Sequence, residues 1–134
     1  MSITSQQLNL LREKALAATQ RAYAPYSGFH VGAALLASDG NLYLGCNVEN
    51  ASYGLTNCAE RSAVFAAIQS VGGDRKNLIQ AMVIVNHKQT PMPPCGACRQ
   101  VLLEFGSGGV IYFQGIEGEK MMRIIDLLPE AFVL

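Results

Sequence analysis

Ala81-Met82-Val83-Ile84-Val85 is an unbroken apolar run. A run with no polar side cannot turn one face to water, so it reads as a strand covered on both faces. Half of the 134 residues are hydrophobic and 15% are charged, which supplies enough apolar surface for the covering layers. Upstream of the run, Cys58 to Val71 is predicted to be a helix closed by Gly72-Gly73. Downstream, the loop Thr90 to Pro94 leads into a second helix, Cys95 to Phe105, closed by Gly106. Val31 to Ala37 and Leu42 to Cys46 are strands joined by the tight turn Ser38-Asp39-Gly40-Asn41. Asn47 to Asn57 lacks periodicity and is expected to be a structured loop. Val110 to Phe113 is another strand, Lys120 to Met122 a short last one, and Arg123 to Leu128 a final helical turn. At the start, Thr4 and Gln7 match a capping box. Leu8, Leu11, Ala15, Ala18 and Ala22 form the apolar stripe of an opening helix, which Pro25 and Gly28 end.

The order is helix, hairpin, helix, strand, helix, strand. The alternation after residue 42 predicts crossover connections and parallel pairing. The expected fold is α/β: a single domain over residues 1–134, an α/β/α sandwich whose mixed, about five-stranded sheet is covered by helices. Ten Lys and Arg balance ten Asp and Glu, for a formal net charge of zero. Phosphate neutralisation needs a basic face, so a nucleic-acid partner is not expected. Nothing approaches the ~20 apolar residues of a membrane span. Met1 to Asn9 is polar and lacks the apolar segment of a secretory signal, which makes a cytoplasmic location the expectation.

The chemistry concentrates in two short segments, Asn57-Cys58-Ala59-Glu60-Arg61 and Pro94-Cys95-Gly96-Ala97-Cys98-Arg99. Cys95 and Cys98, three apart at a helix start, can aim both sulfurs at one point, the usual gap of a zinc-binding pair. Cys58 opens the other predicted helix. If both helices begin at one edge of the sheet, three thiolates converge on one Zn²⁺ per chain and leave its fourth position for water, as in catalytic zinc sites. Helix N-termini favour thiolates. Three thiolates on Zn²⁺ carry a net charge of minus one, which the helix dipoles and Arg61 are placed to offset. Bound water then ionises near neutrality, and Glu60, two residues from Cys58, is the natural proton shuttle.

These two segments resemble the small cytidine deaminases that bind zinc through three cysteines. The resemblance extends through Tyr26-Ser27-Gly28-Phe29, Val31-Gly32-Ala33-Ala34, Gly45 to Tyr53, and Leu127-Leu128-Pro129 with Phe132. It implies a cytidine deaminase-like fold and hydrolytic deamination of cytidine or deoxycytidine, with water attacking C4 of the base while Glu60 moves protons. It also implies that Phe29 packs on the pyrimidine, that Asn47 and Glu49 bind the ribose 3′-hydroxyl, and that the backbone at Ala59 contacts the base. Ala51, Tyr53 and Phe132 would reach the site of a neighbouring subunit in a homotetramer with shared active sites.

Other readings stand beside these. Cys46 could complete a closed four-cysteine site, although that leaves Glu60 without a purpose; as a small buried hydrophobe it needs no metal. A redox Cys-x-x-Cys is a further option. A blasticidin-type deaminase shares the zinc motif but lacks the Asn47-x-Glu49 pair, and a non-catalytic zinc-stabilised binding module would need no Glu60. His30 and His87 lack ligand spacing and are expected to be structural or solvent-facing. Arg12, Lys14, Arg75 and Lys76 read as ordinary solvated charge.

Overall fold

The computed structural model describes residues 3–134. Helix α1 spans Ser5–Ala18, and its Thr4–Gln7 capping box forms with both reciprocal hydrogen bonds. Strands β1 (Val31–Ala37) and β2 (Leu42–Cys46) make a hairpin. Then follow α2 (Ala59–Ser70), β3 (Ile79–Asn86), α3 (Gly96–Gly106), β4 (Val110–Gly115) and β5 (Gly118–Arg123).

One five-stranded mixed sheet runs in the order β2-β1-β3-β4-β5. The expected parallel pairing is present between β3 and β4. β1 is antiparallel to both β2 and β3, and β4 is antiparallel to β5. β2, β3 and β4 do share one direction, as crossovers require, but β1 sits between β2 and β3. Burial gives the reason. All seven residues of β1 are buried, whereas β2 has a single buried residue, so the more apolar arm takes the inner position.

Alternation along β1 and β3 divides the core into two layers. The facing pairs Ala33↔Ile84 and Leu35↔Met82 pack with Ala63, Val64 and Leu102 from α2 and α3. The pairs Ala34↔Val83 and Leu36↔Ala81 pack with Leu11 and Ala15 of α1. Helices therefore cover both faces, as expected. α1 ends sooner than Pro25: Ala22 is already extended, and Tyr23 donates to the Asn47 carbonyl at 3.0 Å, so a long-range backbone pairing overrides the local helical stripe. Two of the charges expected to be merely solvated have partners. Arg12 pairs with Glu119, and Arg75 donates to the Ile68 and Val71 carbonyls at the end of α2.

One close approach places the site. A Cβ on Gly45 would lie 2.3 Å from the Ala59 carbonyl oxygen and 2.4 Å from the Ala63 nitrogen. The first turn of α2 thus rests directly on the backbone of β2, a contact open to glycine alone.

Candidate active site

β2 and β3 point the same way and each leads to a helix, so α2 and α3 begin at one edge of the sheet. This is where α/β folds gather ligands, outside the carboxyl ends of the strands. Cys58 is the N-cap of α2 and Cys95 the N-cap of α3, and neither caps through its side chain. Cys98 lies in the first turn of α3 and is buried.

The three sulfurs lie within 4.8 Å of one another, and those of Cys58 and Cys95 are 3.9 Å apart. Two sulfurs bound at about 2.3 Å to a tetrahedral zinc would be about 3.8 Å apart, so the spacing matches the edge of a zinc site. Arg61 Nη2 donates to the Cys58 sulfur at 3.3 Å, while Arg61 Nε is buried with no hydrogen-bond partner. A half-buried cation whose Nε is sealed from water, set against the Cys58 sulfur, favours the thiolate form there. The neighbouring Cys98 thiol and the Arg61 guanidinium lower the Cys58 thiol well below its ordinary range. Cys98, beside Cys58, is raised in turn. The donor set and its charge therefore fit one zinc ion. Cys46 stands outside the cluster and donates to the Arg21 carbonyl at 3.5 Å, which leaves the four-cysteine reading without its fourth ligand.

Glu60 follows Cys58 by two residues and is 4% exposed. Burial pushes its carboxyl up to about 6, against the pull of its own backbone N–H, and the neighbouring Cys58 adds to the rise. A carboxyl tuned upward by burial can both take up and release a proton near neutrality.

Asn47 and Glu49 serve the chain itself. Asn47 Oδ1 accepts from the Val31 N–H at 2.8 Å, and Asn47 Nδ2 donates to the Phe29 carbonyl at 2.8 Å. Glu49 accepts from the N–H groups of Tyr26 and Ser27 at 2.9 and 3.1 Å and from the Ser27 hydroxyl, which lowers its pKa. Glu49, Tyr26, Ser27, Tyr53 and Thr56 line a cavity of about 240 Å³. Ala59 is buried as the first residue of α2. Ala51 is exposed, and so is Tyr53, at 75%. Phe132 is 68% exposed and lines a different cavity, with Lys76, Gln100, Leu103 and Glu104. Within one chain it is not brought to Cys58 and Glu60.

A family model described as the cytidine and deoxycytidylate deaminase zinc-binding region matches residues 5–114. The chain belongs to this deaminase family. It is 48% identical over 126 residues to a cytidine deaminase of Mycobacterium tuberculosis, covering 94% of this chain and 90% of that one. With a cytidine deaminase of Halalkalibacterium halodurans it shares 45% over 125 residues, covering 92% of each. A crystal structure of cytidine deaminase from Burkholderia pseudomallei superposes with a TM-score of 0.84 at 45% identity, covering 97% of this chain and 100% of that one. The zinc named by the deaminase family's description agrees with the donor set that Cys58, Cys95 and Cys98 present.

Several residues that shape this deaminase site were not singled out from the sequence. Ser27 anchors the turn before Phe29 by donating to Glu49 and accepting from the Phe29 N–H at 3.0 Å. Arg99 donates to the Pro94 and Leu127 carbonyls and so ties the approach to Cys95 to the short 3-10 turn Ile124–Leu127. Asn86 organises the turn after β3. An asparagine directly after an apolar run is a turn signal, and Asn86 was legible on that ground.

Proposed function

We propose that the chain catalyses zinc-dependent hydrolytic deamination of cytidine and deoxycytidine to uridine and deoxyuridine, releasing ammonia, as a step of pyrimidine salvage. The observation that carries this reading is the buried Glu60 carboxyl beside a three-sulfur cluster at two helix N-termini. Cys58, Cys95 and Cys98 hold the metal, and Arg61 balances the charge of their thiolates. Zinc, when bound, supplies the Lewis acidity that lets a water act as nucleophile near neutral pH. Glu60 accepts a proton from the attacking water and delivers it to N3 of the base; it then moves the proton of the new C4 hydroxyl to the amine, so that the C4–N bond breaks, ammonia leaves and a C4 carbonyl remains.

The substrate side follows from the same residues. Phe29 packs on the pyrimidine, and the backbone at Ala59 meets the base. Asn47 and Glu49, already braced against residues 26–31, retain an amide hydrogen and lone pairs for a sugar hydroxyl that both donates and accepts. This pair favours a nucleoside over the blasticidin-type substrate. The sunken Glu60 argues against a non-catalytic zinc module, since burying a carboxyl is costly without a use.

Residues 1–134 act as a single catalytic domain, in the cytoplasm, with no nucleic-acid or membrane partner. No helix among the described residues is long and apolar enough to cross a membrane. The working enzyme is a homotetramer in which Ala51, Tyr53 and Phe132 complete a neighbour's site. The exposure of Tyr53 and Phe132 supports this. Loss of cytidine absorbance with matching ammonia release tests the activity, and free cytosine, a blasticidin-type substrate and single-stranded polynucleotide serve as comparisons. Activity on cytidine with free cytosine poor is the expected result. Equal kcat/KM for cytidine and free cytosine would refute a nucleoside site.

A further inference from the structure

Phe29 lies two residues before β1, outside the sheet ladder, and two neighbours fix its backbone. Its carbonyl accepts from Asn47 Nδ2 at 2.8 Å and its N–H donates to Ser27 Oγ at 3.0 Å. Its ring meets His87 edge-on, with centroids 5.9 Å apart and planes at 65°. His87 stands one residue beyond β3. Its backbone N–H donates to the His30 carbonyl at 2.9 Å, and its Nδ1 accepts from the His30 N–H at 3.1 Å. The same nitrogen lies 3.4 Å from the His30 carbonyl, so the tautomer selects between the two contacts, and the shorter one makes Nδ1 the acceptor. The His30 ring packs on His87 in turn, at 5.2 Å and 78°.

His87 is held from below by Asn86, which is 1% exposed. Asn86 Oδ1 accepts from the N–H groups of Lys88 and Thr90, at 3.0 and 3.2 Å, and from the Thr90 hydroxyl at 3.3 Å. Its Nδ2 donates to the Thr90 carbonyl at 2.9 Å. One buried carboxamide thus closes the whole turn. The turn also holds Gln89 at φ 53, a left-handed conformation that a side chain adopts only when its surroundings impose it. Asn86 pairs across the sheet with Val31, so the turn is registered against the segment that carries Phe29.

We infer that His87 is a positioning residue for the pyrimidine: braced by the Asn86 turn, its imidazole props the edge of the Phe29 ring and pins the His30 N–H, presetting the ring for the base. The inference rests on the reading of Phe29 as the residue that packs on the pyrimidine. His87 need not touch substrate. Its loss should weaken binding of the base and leave the proton transfers of Glu60 intact.

The test is a KM-against-kcat comparison on zinc-loaded enzyme for Phe29→Ala, His87→Leu, His87→Asn and the double variant Phe29→Ala/His87→Leu. Losing one ring contact and one hydrogen bond corresponds to a rise in KM of about five- to tenfold for His87→Leu, with kcat within about twofold and zinc content unchanged. His87→Asn sets an acceptor close to the place of Nδ1 and should recover part of that loss. The double variant should bind cytidine no worse than Phe29→Ala alone. Additive effects of the two substitutions would overturn the inference, because His87 would then act independently of Phe29. An unchanged KM in His87→Leu, with KM raised in Phe29→Ala, would also overturn it while leaving the role of Phe29 standing. An unchanged KM in Phe29→Ala would instead remove the reading of Phe29. Should His87→Leu fail to fold, His87→Gln, which offers no acceptor at the Nδ1 position, takes its place and is read the same way.

Discussion

The sulfurs of Cys58 and Cys95, 37 residues apart in the chain, lie 3.9 Å from each other, each at the start of a different helix. The distance is a property of the sheet: β2 and β3 share a direction, and their following helices begin at one edge. Replacing Cys58, Cys95 or Cys98 by alanine should therefore abolish zinc binding and activity together. Cys46→Ala should keep a full zinc complement and most activity, since its thiol reaches the Arg21 carbonyl and lies outside the cluster. Metal analysis of the four purified variants checks this, and zinc loss in Cys46→Ala would end the three-ligand site.

Glu60→Gln separates metal from chemistry. The amide keeps the size of the side chain and removes a buried ionisable group, so fold and zinc content should be preserved. It cannot take up and return a proton, and kcat should fall by at least ~10²-fold. Steady-state kinetics alongside metal analysis reads both effects. Full activity in Glu60→Gln would assign the proton transfers to another group.

Gly45→Ala probes the seat of α2. The added methyl would stand 2.3 Å from the Ala59 carbonyl oxygen, so α2 must shift, at a cost of about 1–3 kcal/mol. The shift moves Cys58 and Glu60 with the helix, and zinc affinity should drop along with the melting temperature. Gly54→Ala is the control: its added methyl meets nothing within 4 Å, and stability should stay within about 0.5 kcal/mol. Equal melting temperatures for the two variants would show that α2 does not depend on this contact.

Local signals in the sequence served well. The hairpin strands fall at Val31–Ala37 and Leu42–Cys46 as read, because turn chemistry and apolar patterning act over a few residues. The cluster of Cys58, Cys95 and Cys98 was legible because helix starts bring residues three apart onto one face. What escaped depends on distant partners. The insertion of β1 between β2 and β3 is decided by which strand the whole core can bury. The early end of α1 depends on Tyr23 pairing with Asn47. The Asn47-x-Glu49 pattern points to ligand residues, yet their polar atoms also hold the backbone of residues 26–31, which no motif announces. The Phe29–His87 contact likewise joins segments 58 residues apart in sequence, and neither segment points to the other.

Phe132 carries the last prediction, about assembly. It stands in Pro129-Glu130-Ala131-Phe132-Val133-Leu134, and Phe132, Val133 and Leu134 are all exposed in the single chain. The Phe132 ring stays largely exposed while lining a cavity with Lys76, Gln100, Leu103 and Glu104 of its own chain, so intrachain and intersubunit roles make different predictions. Contiguous exposed apolar residues of this kind mark contact surfaces. If the Phe132 ring closes the site of an adjacent subunit, Phe132→Ala should raise KM while leaving the stability of the fold nearly unchanged. Mixing dissociated and reassembled Phe132→Ala with Glu60→Gln then gives a specific result. Some sites in the mixed assemblies draw Glu60 from one chain and an intact Phe132 from the other, so activity should exceed the sum of the separate parents. A purely intrachain role predicts no gain on mixing. Sedimentation gives an independent check, since a fully active species of 14.4 kDa at assay concentration would exclude a shared site.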